Sequence, residues 1–223
     1  MLSKIKNIFK KKPPDLSLTD KLWELIQNEK YEEVILEAKE LLGHKSAPIA
    51  KDANKLMGMA LFRQAKYKEA LPYFQKATEY NPEINDWFNV ISSGTLSKNV
   101  EVGRNAFDKA VQLQLDSGHK EQPSIPFMRQ YYACALRDIG EYDLALEQIN
   151  ELRQIYEQLK ITDTTFVYIR GVPFLSHTMD VAVDVFNGLG ASFDAQEWID
   201  SFSSKLDEEG QEYLNEVKAK IHS

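Results

Sequence analysis

The sequence predicts an all-α protein assembled from successive helical hairpins, and three observations carry that prediction. Glycine and proline are scarce for a chain full of turns, at 10 and 8 in 223 residues. Segment after segment places apolar residues three and four positions apart, the period that lines one face of a helix. A pattern of small and large residues also returns at intervals near 34 residues, a period that fits a pair of helices.

The pattern is clearest from Lys51 to Ile84, where Asn54, Met57-Gly58, Leu61, Ala70, Phe74, Ala77 and Pro82 follow one another. Gly58 and Ala70 are small because two helices cross there, and larger side chains would hold the axes beyond roughly 8 to 10 Å. Phe74 and Ala77 lie one turn apart and fill a seam. Tyr67 opens the second helix after the turn Gln64 to Lys66, and Pro82 is expected to close it, since proline cannot continue a helix. In this spacing the stretch resembles a tetratricopeptide (TPR) repeat, a helix-turn-helix unit of about 34 residues. The resemblance implies an all-α, right-handed α-α superhelix, a TPR solenoid with helical caps, that binds other proteins.

The remaining elements follow in order. Residues 1–14 form a basic tail in which Leu2, Ile5, Ile8 and Phe9 stand at helical spacing among five lysines. That pattern suits either weak contact with an anionic membrane surface or acidic partner, or a solubilising terminus ended by Pro13-Pro14. Residues 15–50 make a degenerate N-terminal repeat. Thr19 or Asp20 caps a first helix to Asn28, Tyr31 to Leu42 is the second, and Gly43 to Pro48 the connecting turn. Tyr31, Val34, Ala38 and Leu41 match Tyr67, Ala70, Phe74 and Ala77 at an offset of 36 positions.

Three TPR-like repeats then fill 51–159, at 51–84, 84–117 and 126–159. In the second, Trp87, Val90 and Ile91 take the places of Asn54, Met57 and Gly58, while Gly103, Phe107 and Ala110 take those of Ala70, Phe74 and Ala77. Gly118 to Ser124 is an inserted loop, about eight residues beyond the period. In the third, Tyr132-Ala133 and Leu136 hold the first helix, Gly140-Glu141-Tyr142 makes the turn, and Ala145, Ile149 and Leu152 hold a second helix reaching about Lys160.

Residues 160–223 read as a C-terminal helical cap or a degenerate fourth repeat. Thr164 to Arg170, β-branched and aromatic, fits a short strand or a poor helix. Pro173 to Asn187 is helical and stops at Gly188 and Gly190. Asp194 with Glu197 has the spacing of a capping box for a helix to Leu206, and Asp207 caps a last helix to Ile221.

Composition excludes several function classes. A single cysteine, Cys134, admits no internal disulfide. No run approaches the roughly 20 apolar residues of a membrane span, and no signal peptide opens the chain, so a cytoplasmic location is expected. Met1 to Lys12 holds five positive charges of a formal −7, leaving −12 for the rest. Such an acidic body is a poor surface for nucleic acid, whose phosphates need a basic face.

The resemblance implies that the first helices line a concave groove, whose positions here are Lys55, Met59, Phe62, Phe88, Asn89, Ser92, Phe127, Gln130, Tyr131 and Cys134. Chaperone-binding members clamp a C-terminal carboxylate there with lysines, asparagines and an arginine. Lys55 and Asn89 match two of those places, but Met59, Phe127 and Tyr131 replace the second Asn, the Lys and the Arg. Without a bidentate arginine a carboxylate would be poorly compensated for its lost water. The groove is expected to take an apolar or aromatic protein segment, or an amphipathic helix, with no cofactor and no metal.

No HExxH, paired CxxC or glycine-rich phosphate loop occurs, so no enzyme is expected. His177, Asp180 and Asp184 share adjacent turns of one helix, a pattern that reads as a solvated face more readily than as a metal site. An adaptor or scaffold is the leading reading. A dedicated chaperone or immunity-like protein that sequesters one effector or toxin is the alternative, and an enzyme with a site in 161–223 a remote third.

Overall fold

The computed structural model describes residues 17–119, 122–190 and 193–221, and among them every regular element is a helix. The basic tail and its membrane-surface reading lie outside the described residues. The chain divides into two compact units, 1–82 and 83–223.

In the first unit, α1 (Ser17–Gln27) pairs with α2 (Tyr31–Ala38), and α3 (Ala47–Arg63) pairs with α4 (Tyr67–Ala77). The second helix expected to reach Leu42 is α-helical only to Ala38 and tightens into a 3₁₀ turn over Lys39–Leu41. Both α1 and α2 pack on α3. Leu22, Val34, Leu56, Met57 and Phe74 are buried among them. Asn54 ties the hairpins together, its Nδ2 donating to Ala50 O at 2.7 Å and Leu42 O at 3.3 Å. A methyl group on Gly58 would lie 2.7 Å from carbons of the Phe74 ring, which is why that position is glycine.

Pro82 does not end the second helix. α4 stops at Ala77, where the Thr78 amide bonds to Phe74 O and Gln75 O, and Asn81 turns the chain at φ 52°. The proline within α4 is Pro72, which removes one backbone donor from the ladder.

The second unit holds α5 (Ile84–Leu96), α6 (Val100–Asp116), α7 (Ile125–Asp138), α8 (Tyr142–Leu159), α9 (Thr164–Ile169), α10 (Leu175–Leu189), α11 (Ala195–Ser203) and α12 (Glu208–Ile221). A capping box of Glu83 with Asp86 starts α5. Gly94 and Gly103 let α5 and α6 close on each other, since a methyl group on Gly94 would meet the Gly103 backbone at 3.1 Å.

Residues 164–169 are helical. Asp163 accepts the Phe166 amide at 2.8 Å, a cap that outweighs the β-branched composition. α10 packs on α7 and α8, and α12 on α10 and α11. α11 ends at Ser203, short of Leu206, because the chain then turns to hand the Asp207 amide to Lys160 O at 3.1 Å. The Asp207 carboxylate caps α12 through Gly210 N and also takes both the amide and the hydroxyl of Thr162.

Four hairpins share one turn. Glu29, Ala65, Lys98 and Gly140 adopt φ of 57°, 58°, 65° and 85°, and each hands its amide to the carbonyl three residues back. The next amide reaches five residues back, the Schellman arrangement that satisfies orphaned helix-end carbonyls. Counted from this turn, Leu22, Gly58, Ile91 and Ala133 are equivalent on the first helices, and Ala38, Phe74, Phe107 and Ile149 on the second. All eight are buried.

Candidate functional site

On α3, Lys55, Met59 and Phe62 are spaced so that one helical face carries all three, and each is half-buried. The Phe62 ring meets Tyr67 edge-on at 5.0 Å and Phe74 at 6.2 Å, so it doubles as a lid on the α3/α4 core.

In the second unit, α5 presents Phe88, Asn89 and Ser92, all half-buried. The Ser92 hydroxyl donates back to Phe88 O at 3.2 Å, which spends its donor within the helix. α7 packs beside α5 and brings Tyr131 edge-on to Phe88, with centroids 5.4 Å apart and planes at 77°. Tyr131 remains 55% exposed. Phe127 lies one turn earlier on α7, half-buried, in the first turn that Ser124 caps.

Gln130 sits differently, at 7% exposure. Its Nε2 donates to His177 O at 3.1 Å, and its Oε1 accepts from Thr178 Oγ1 at 2.8 Å. Thr178 in turn lies 2.8 Å from the buried Tyr156 hydroxyl, which donates to Pro173 O at 2.7 Å. This chain of polar groups fastens α7 and α8 to α10. Burial pushes the Tyr156 phenol well above its ordinary value, only partly offset by Thr178. Burial likewise raises the Cys134 thiol against the pull of Arg137.

The helix that carries His177, Asp180 and Asp184 uses them separately. His177 packs its ring 5.3 Å from that of Phe174, while Asp184 pairs with Arg137 at 3.0 Å. Among the described residues no three His, Cys, Asp or Glu side chains come together as metal ligands. None of the described helices is long and apolar enough to cross a membrane.

One feature depends on the fold rather than on local sequence pattern. A cleft of about 270 Å³ opens where Phe174, Leu175 and Ser176 at the start of α10 face Glu209, Glu212, Tyr213 and Glu216 of α12. The spacing of those glutamates was visible in the sequence. Only the fold places an apolar floor beneath them.

Residues 52–84 match the tetratricopeptide repeat family. No curated protein and no solved structure gives a significant match to the chain.

Proposed function

We propose that this chain, which carries a tetratricopeptide repeat at residues 52–84, is an adaptor that captures an apolar or aromatic segment of a partner protein on the outward faces of its first helices. Tetratricopeptide repeats are in general protein–protein interaction modules of non-enzymatic scaffolds, and that class carries the broad reading. The single observation that carries the specific one is the Phe88–Tyr131 pair, a T-shaped contact with more than half of Tyr131 open to solvent.

Aromatic side chains presented this way are the usual anchors of an interface, since they bury a large area at little cost in rotamer entropy. Asn89 and Ser92 on α5 and Phe127 on α7 complete that face in the second unit, and Lys55, Met59 and Phe62 supply the face of the first. With few charges on either, an extended apolar strand or an amphipathic helix is a better fit than an acidic C-terminus. An acidic body with a single cysteine fits work on proteins in a reducing compartment such as the cytoplasm, rather than on nucleic acid.

The test is affinity capture from the native host's lysate, with Phe88→Ala/Tyr131→Ala beside the wild type and helix content checked by circular dichroism. A partner whose retention falls at least tenfold in the variant, with helicity unchanged, supports the reading. Equal capture by both proteins removes these residues from the interface.

A further inference from the structure

The cleft between α10 and α12 has chemistry unlike that of the first-helix faces. Glu209, Glu212 and Glu216 are spaced to share one face of α12, and among the described residues no cation pairs with any of them. Burial first, then the charges of Asp180 and Glu216, raise the Tyr213 hydroxyl in the cleft above its ordinary value. Arg170 lies 4.2 Å from the centroid of the Phe166 ring, and Lys218 is held by Asp200.

Beside the cleft the surface turns apolar. Of the seven large hydrophobic side chains exposed among the described residues, Ile161, Tyr168 and Ile169 fall within nine positions, at 41%, 64% and 77% exposure. The Tyr168 ring lies 6.3 Å from Phe174, which itself lines the cleft, so an aromatic row leads from α9 to the acidic wall.

We propose that this surface is a second docking site, for a cationic amphipathic segment of a partner protein. Its Lys or Arg side chains meet the three glutamates while its apolar side chains cover Tyr168, Ile169 and Phe174. The charge complementarity selects that occupant. A neutral apolar segment would leave the carboxylates facing it without water or counter-charge, and an acidic one would be repelled. Exposed ion pairs are individually weak and screened by salt, so the apolar row is needed for the site to hold.

The probe is a labelled synthetic helical peptide of leucine and lysine, titrated by fluorescence anisotropy against the full chain and compared with oligolysine of equal charge. Glu209→Gln/Glu212→Gln/Glu216→Gln is expected to weaken the leucine–lysine peptide about tenfold. A charge-matched control on other exposed glutamates, Glu24→Gln/Glu40→Gln/Glu101→Gln, is expected to change it by less than about twofold. Tyr168→Ala/Ile169→Ala, at exposed positions that leave the core intact, should weaken the peptide severalfold and leave oligolysine unaffected. Equal losses in both glutamine triples, or peptide binding no tighter than oligolysine, would overturn the proposal. Phe88→Ala/Tyr131→Ala should leave peptide affinity unchanged, which separates this site from the first-helix face.

Discussion

Gly58 and Phe74 meet closely where α3 crosses α4, and their sizes are complementary. Gly58→Leu should destabilise the fold by about 1 to 3 kcal/mol through overpacking, read as a lower urea midpoint at constant slope. Adding Phe74→Ala, which imitates the Leu22/Ala38 arrangement of the preceding hairpin, should recover part of that loss; simple additivity of the two changes would show that the residues do not share one space.

Tyr156 is the second such residue. Tyr156→Phe strips the donor from Pro173 O and should cost about 1 to 3 kcal/mol. Because its folded pKa is raised above the ordinary 10.0, the phenol's contribution is complete below that pH and is lost as pH rises beyond it. Wild-type stability should therefore fall more steeply than that of Tyr156→Phe above about pH 10, measured by denaturant titration across alkaline pH. Asp207 acts at the other end. Burial alone would raise its carboxyl, but hydrogen bonds from Thr162 and Gly210 prevail and lower it. Its contribution is present above 3.8 and fades as pH drops below that value.

At the scale of elements, the shared turn makes its own prediction. Three of the four hairpins place a residue other than glycine in the left-handed region, at a cost of roughly 1 kcal/mol each. Ala65→Gly should raise the melting temperature and Gly140→Ala should lower it, each by the equivalent of about 1 kcal/mol. Pro72→Ala, at an exposed position inside α4, should also stabilise.

The hairpins were legible because each packs against residues close in sequence. The small and large positions around Gly58, Gly103 and Ala145 announce themselves at fixed spacing, and Asp194 and Asp207 cap helices as their positions suggest. What was illegible depends on distant partners. The resemblance put Gln130 among the groove positions, but nothing local told that α10, some 47 residues on, would take up its amide. Asp163 was equally silent. Its cap decides the state of a segment whose composition favours neither outcome. The cleft on α12 depends on α10 meeting it, a contact no local pattern records.

At the scale of the molecule, the two units differ in build. Among the described residues the first has two hairpins, and the second has two hairpins followed by four further helices. In such chains stability is a sum of local and nearest-neighbour terms, so a lesion spreads with decreasing effect. Hydrogen exchange on Gly58→Leu should show faster exchange in α3 and α4 while α7, α8 and α10 keep their protection. Uniform loss from 17 to 221 would mean that the chain unfolds as one cooperative body.

The alternation of small and large partners has a consequence for assembly. Leu22 and Ala38 stand where the next hairpin has Gly58 and Phe74, so the two hairpins of the first unit carry opposite orders of small and large. A nascent chain that paired α1 with α4 would set Leu22 against Phe74 and collide, and α3 with α2 would set Gly58 against Ala38 and leave a hole. Similar modules strung on one polypeptide invite such exchanges, both within a molecule and between neighbours on a polysome. In the first unit each hairpin thereby favours its own closure.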